Sequence, residues 1–217
     1  MQTTSRIWKL AYESEKINHG TPSGIDNTTS LYGGYIKYKT KNDFKVINTN
    51  PKQFIQKIPL LVVNTMVKDR NTKKLVHSVK HLHSKHKPII EPIFESIECI
   101  SERLIKVLLN KRISSNDLYK NINDLFAVNH GLLIAIGVGH NAIDNVQSIC
   151  SEYDLGKGFK ITGAGGGGTV IVSLLNKHKN NNSEDTKVER LRSKLSSKGY
   201  ESYLIETGQS GLLCKFY

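Results

Sequence analysis

Several familiar signatures are missing from this sequence, and each absence removes a class of function. No apolar run approaches the ~20 residues that a membrane-spanning helix needs, and the first residues lack the basic-then-apolar pattern of a secretory leader. No membrane partner is expected, and the expected compartment is the cytoplasm. Cysteine is scarce: Cys99, Cys150 and Cys214 are odd in number, far apart and without metal-ligand spacing. They read as free thiols, which leaves neither a disulfide frame nor a zinc site. Acidic residues are outnumbered, 19 against 31 lysines and arginines, for a formal net charge of +12. That balance invites nucleic acid as a partner. The lysines, however, are spread through 37–57, 68–87 and 177–198, interleaved with asparagine, and no aromatic-plus-basic motif accompanies them. The distribution argues against nucleic acid; a basic surface steers small anions instead. His77 and His81 share one helix face, with His83 and His86 nearby, but no thiol or carboxylate joins them, so they read as a solvated basic face. There are no internal repeats.

What remains is a globular chain of 217 residues, 38% hydrophobic, long enough for one core of normal size or one domain plus a remnant. Residues 7–18 read as a helix and 35–39 as a strand. The polar stretch 41–57 reads as a crossing into a second domain. Residues 58–65 form an apolar strand that Pro59 opens. Leu75, Val79 and Leu82 predict a helix over 72–86. Pro88 is expected to break it and Pro92 to open the next, whose stripe Ile93, Ile97, Ile100, Leu104 and Leu108 faces the core. Ser115 is the expected cap of a third helix, and 132–138 is apolar enough to require burial. A fourth helix carries Ile143, Val146, Ile149 and Tyr153; Asn129, His130 and His140 at its approaches read as structural polar groups. Residues 159–162 and 169–175 predict a hairpin. Residues 179–185 read as a loop, 188–198 as a helix ended by Gly199, and 200–206 and 212–216 as final strands.

Two stretches carry chemistry. The first is His19-Gly20-Thr21-Pro22-Ser23-Gly24-Ile25-Asp26-Asn27, with Glu15 eleven positions before Asp26. Pro22 and Gly24 forbid regular helix, and Ser23-Gly24 and Asp26-Asn27 are turn-forming pairs. A magnesium ligand and a base facing one pocket fit this pattern, and so does a helix end followed by an ordinary turn. The second is Lys160-Ile161-Thr162-Gly163-Ala164-Gly165-Gly166-Gly167-Gly168-Thr169, which runs into Val170-Ile171-Val172. Flexible linkers have polar flanks, whereas this run sits in core-forming sequence. Its glycines let a backbone or ligand approach closely; a phosphate cradle and a tight packed hairpin are both compatible with it.

Together these residues resemble the mevalonate kinase family, a branch of the GHMP small-molecule kinases. The resemblance rests on Glu15, residues 19–27, Tyr32-Gly33-Gly34, and Gly163 to Gly168 preceded by Lys160 and Thr162. Arg70-Asn71-Thr72, Asn129-His130-Gly131-Leu132-Leu133 and Gly137-Val138-Gly139-His140 look like further family segments. The similarity runs from about Ile7 onward.

The resemblance implies an α+β fold: the ferredoxin-like split βαβ sandwich of a GHMP kinase C-terminal domain over residues 51–217, with residues 1–50 a C-terminal remnant of the N-terminal catalytic domain. It implies ATP-dependent phosphorylation of the C5 hydroxyl of mevalonate in isoprenoid and sterol precursor synthesis, with ATP and Mg²⁺ as cofactors. By the same resemblance Asp26 is the catalytic base and Glu15 a metal ligand. His19, Ser23 and Thr72 line the substrate and nucleotide pocket, and Gly163, Ala164, Gly165, Gly166 and Gly167 support the nucleotide loop. The family's other glycine-rich loop, of the form PxxxGLGSSA, and a Lys near the family's N-terminus have no counterpart in these residues. The chain is therefore expected to be roughly the C-terminal half of such a kinase, with little or no activity alone. Lys68-Asp69 stands where relatives tend to have Pro before Arg, and Thr169 replaces a frequent Cys. Another GHMP kinase and a non-catalytic GHMP-derived binding or regulatory module are the alternatives; a homodimer is left open. A remnant of the first domain would expose apolar residues such as Ile7, Trp8 and Leu10.

Overall fold

The computed structural model describes residues 2–19, 22–47, 54–68, 70–175 and 182–212. The chain forms two compact units, one of Met1–Lys57 with Glu206–Tyr217 and one of Ile58–Ile205.

The first unit holds helices α1 (Gln2–His19) and α2 (Ile25–Tyr32) and a hairpin of β1 (Ile36–Thr40) and β2 (Asp43–Val46). Trp8 and Tyr12 stack on one side of α1 with ring centroids 4.8 Å apart. The Trp8 Nε1–H donates to Oγ1 of the fully buried Thr28 at 3.0 Å, which ties α1 to α2. Trp8 is thus half-buried, with its polar atom satisfied. Of the patch expected at Ile7, Trp8 and Leu10, Leu10 is exposed, together with Ile17, while Ile7 and Trp8 are half-buried. Asp26 and Asn27 stand in the first turn of α2 rather than in a free turn. α1 ends at His19, Gly24 takes φ +83°, and helix resumes at Ile25. The polar stretch after residue 40 is likewise not all crossing: Phe44 sets β2 against Tyr38 of β1. A strand of four residues with two apolar positions is too short for its period to stand out from its surroundings. Residues at the far end of the sequence complete this unit: Gly33 bridges Ser210, and Gly34 N donates to Gln209 O at 2.7 Å. Lys57 pairs with Glu206 at 2.9 Å.

The second unit contains β3 (Pro59–Asn64), α3 (Thr72–Lys85), α4 (Lys87–Leu109), α5 (Ser115–Ala135), α6 (Asn141–Glu152), β4 (Phe159–Ile161), β5 (Thr169–Ser173), α7 (Asn182–Ser197) and β6 (Glu201–Glu206). The sheet order is β4-β5-β3-β6. β5 runs antiparallel to both β3 and β4, with Leu61 opposite Val172 and Ile161 opposite Val170. This is the order of the split βαβ sandwich that the sequence predicts. The core joins Leu61 and Val63 of β3, Ile143 and Val146 of α6, Phe159 and Ile161 of β4, Val170 and Val172 of β5, and Leu191 and Leu195 of α7, all fully buried.

Several local expectations are corrected here. α3 ends at Lys85, just before Pro88 as expected, but Pro88 and not Pro92 opens the next helix: it sits in the first turn of α4, where its missing N–H has no helical partner to lose. Pro92 lies inside that helix and removes one bond, a cost a 23-residue helix absorbs. The cap of α5 is Ser114, whose Oγ accepts from Asp117 N at 3.0 Å, not Ser115. The apolar stretch 132–138 is only partly interior: Ile136 and Val138 are buried, while Ile134 on the last turn of α5 is exposed. The loop expected over 179–185 gives way at Asn182 to α7; residues 176–181 lie outside the described residues, as do 213–217, where most of the last expected strand and Cys214 fall. Gly199 ends α7 with φ +82°, and Tyr200 N returns to Leu195 O at 3.0 Å. Among the described residues no helix is long and apolar enough to cross a membrane.

Candidate active site

Glu15 stands near the C-terminal end of α1 and is half-buried. In the amide orientation that satisfies both of its ends, Asn27 Nδ2 donates to both Glu15 carboxylate oxygens at 3.1 Å, and its Oδ1 accepts from Tyr12 N at 2.9 Å. A side chain on α2 thus clasps the acid on α1. Asp26 is exposed in the first turn of α2, where the helix dipole favours a carboxylate. The chain between the two acids is shaped by three aromatic rings. Tyr12 OH donates to Pro22 O at 3.2 Å and Tyr38 OH to Ser23 O at 2.5 Å. A Cβ on Gly24 would lie 3.1–3.3 Å from Trp8, Tyr38 and Tyr12, so glycine is required there for space as well as for φ. Ser23 is exposed, and its Oγ accepts from Ile25 N at 3.3 Å. Burial pushes the Tyr38 phenol above its ordinary pKa. The side chain of His19, and Gly20 and Thr21, lie outside the described residues.

The glycine hairpin belongs to the second unit. Gly163 and Gly165 to Gly168 all have positive φ, between 65° and 95°. Side chains crowd them: a Cβ on Gly166 would sit 2.5 Å from Leu75 Cδ1 and one on Gly167 2.8 Å from Val67, while one on Gly168 would run into the Arg70 guanidinium. Gly166 N donates to Val138 O at 2.9 Å and Thr65 N to Gly168 O at 2.7 Å. The run is therefore a packed hairpin pinned to β3, to the start of α3 and to the segment after α5. Thr72 is the first residue of α3, exposed, behind the N-cap Asn71, whose side chain accepts from Lys74 N at 2.9 Å.

Neighbouring polar groups are structural. His140 caps α6 by accepting from Ala142 N at Nδ1, 3.1 Å away. His130 is buried edge-on to Phe159, its ring centroid 5.0 Å away, and burial lowers its pKa. Among the described residues no group of three or more His, Cys, Asp or Glu is placed to hold a metal ion. Two bonds escape sequence reasoning, the Asn27 clasp on Glu15 and the Lys160 bond to Ile161 O, because neither has a sequence period.

Residues 115–201 match the family model described as GHMP kinases C terminal. That stretch is similar to a GHMP kinase C-terminal domain and lies within the second unit. Beyond the domain, the chain is 33% identical over 94% of its length to a mevalonate kinase of Arabidopsis thaliana and 35% identical over 95% to one of Dictyostelium discoideum, covering 50% of each. The crystal structure of L. major mevalonate kinase in complex with R-mevalonate superposes with a TM-score of 0.76 over 96% of this chain and 60% of that one, at 24% identity, which is a likeness of fold. The GHMP kinase C-terminal fold is α+β, as the sequence predicts. The chain spans about half the length of the curated relatives it matches.

Proposed function

We propose that this chain contributes the C-terminal part of an ATP-dependent mevalonate kinase, which transfers the γ-phosphate to the C5 hydroxyl of mevalonate. The observation that carries the reading is similarity to proteins named mevalonate kinase along nearly all of the chain, not over the GHMP domain alone. The motif of residues 19–27 and the glycine hairpin both fall within it. In this reading residues 1–50 belong to the catalytic N-terminal domain, whose remaining part bears the loop that wraps the ATP phosphates.

Phosphoryl transfer goes through a loose transition state, so positioning and charge neutralisation dominate. Asp26 accepts the proton of the attacking hydroxyl as the bond to phosphorus forms; an aligned acceptor within hydrogen-bond reach suffices. Mg²⁺ takes one or two carboxylates and leaves its other positions to phosphate and water, which suits a lone Glu15 with an amide behind it. When bound, the ion neutralises phosphate charge. In the first unit Asn27 restrains the Glu15 carboxylate and His19 and Ser23 serve substrate; in the second Thr72 offers a hydroxyl and the hairpin at 163–168 backs the phosphate loop.

The test is a coupled assay with mevalonate and Mg·ATP on the purified 217-residue chain and on a chain completed with the N-terminal half of a relative. The completed chain is expected to phosphorylate mevalonate, and Asp26→Asn to lower its kcat far more than it raises KM. The short chain is expected to be nearly inert. A completed chain that ignores mevalonate but phosphorylates another small alcohol would replace the substrate; one that is folded and inert towards all would favour a binding module.

A further inference from the structure

Among the described residues Lys160 is the one mostly buried lysine of the second unit for which the chemistry above has no use. It lies on β4, an edge strand, between the fully buried Phe159 and Ile161. Strand alternation sends its stem to the opposite side from those two, and Nζ comes to 5.8 Å from the ring centroid of Phe126 on α5. There it donates to the main-chain oxygen of Ile161 at 2.7 Å and forms no ion pair among the described residues. Ile161 is the last residue of β4. Thr162, whose N donates to Thr169 O at 3.1 Å, and Gly163 carry the chain off the sheet.

We propose that Lys160 is the positioning residue of the glycine hairpin: its amine holds the Ile161 carbonyl where the chain leaves β4, and thereby fixes the direction in which residues 162–168 depart. Nothing else about the Ile161 oxygen explains why an amine is kept in an apolar setting, since an uncharged side chain would pack against Phe126 without the cost of burying a charge. The titratable neighbour on α5 is His130, which burial and the charge of Lys160 both keep towards the neutral form. Lys157 in the turn before β4 is exposed, and Ile171 faces Lys160 across the β5 ladder, so neither β5 nor the preceding turn supplies a counter-charge. Burial brings the Lys160 pKa from 10.5 to about 8. Both forms of the amine donate a hydrogen bond, but the charged form gains more from returning to water. The hairpin is therefore held more loosely below about pH 8 and more tightly above it. The bearing of this on phosphate handling rests on the function proposed above, whereas the hairpin's own response needs no nucleotide to be read.

The deciding experiment is carbon-detected NMR on the 217-residue chain, following the Lys160 side chain, the Ile161 carbonyl and the carbons of residues 162–168 as pH rises. Lys160 is expected to titrate near 8 instead of 10.5, with the hairpin signals moving at the same midpoint. Lys160→Met should displace the hairpin signals at every pH and abolish their response. Lys160→Arg keeps a donor and a fixed charge, and should return the signals close to their low-pH positions, again without a response. A Lys160 midpoint near 10.5, hairpin signals indifferent to it, or a Met variant with wild-type hairpin signals would each overturn the proposal. If Lys160→Met fails to fold, the wild-type titration and the Arg variant still decide.

Discussion

At the scale of single residues, two positions bear unusual loads. Gly24 combines a left-handed backbone with a cage of three rings. Gly24→Ala should therefore cost about 1–3 kcal/mol, from a strained φ together with contacts that must give. Urea denaturation of the two chains measures it, and a difference within error would mean the cage yields freely. Lys160 has the opposite character, since it costs stability. Its folded pKa of about 8 lies below the 10.5 of an unfolded lysine. Below pH 8 both states carry the proton and the burial cost is felt in full. Between the two values the unfolded chain binds more protons, so stability rises with pH, by up to ~3 kcal/mol in total. The difference in melting free energy between wild type and Lys160→Met should shrink over that window, with the Met variant the more stable at neutral pH. A pH-independent difference would show that the charge is not buried as described.

At the scale of elements, caps and breaks can be tested one at a time. Ser114→Ala removes the acceptor for Asp117 N and should cost about 1 kcal/mol; Ser115→Ala, one residue on, should be nearly silent. Equal effects in chemical denaturation would return the cap to Ser115. The same pair illustrates what was legible in the sequence. Long periodic segments announced themselves: α6 through Ile143, Val146 and Ile149, β3 and β5 through continuous apolar runs, and the hairpin through its glycines. Boundaries did not, because Ser114 and Ser115 are equally good caps and only the backbone decides between them. The prolines misled over where α4 starts: Pro88 stands in its first turn, which has no helical N–H partner to forbid, and Pro92 lies inside it. In the candidate site the two acids and the glycine run stood out by residue type. The bonds that hold them, Asn27 to Glu15 and Lys160 to Ile161, depend on which side chains meet, and that follows from packing rather than from pattern.

At the scale of the whole molecule, the core of the second unit draws on β3, β4, β5, α6 and α7, all within residues 58–205. That segment expressed alone should fold and melt in a single cooperative transition, read by circular dichroism. A non-cooperative melt would mean that it borrows stability from the first unit. The first unit should not survive as residues 1–57, because residues beyond 205 complete it.

That last arrangement sets an order in time. α1 and α2 are synthesised before any of the second unit, but the bridge partner of Gly33 is Ser210, which follows β6 in the chain. The younger part of the polypeptide can finish its sheet while the older part waits with an open seam for its closing stitch. The unit bearing both acids thus matures after the other, and a nascent chain stalled before Ser210 would carry a finished second unit and an unfinished first one.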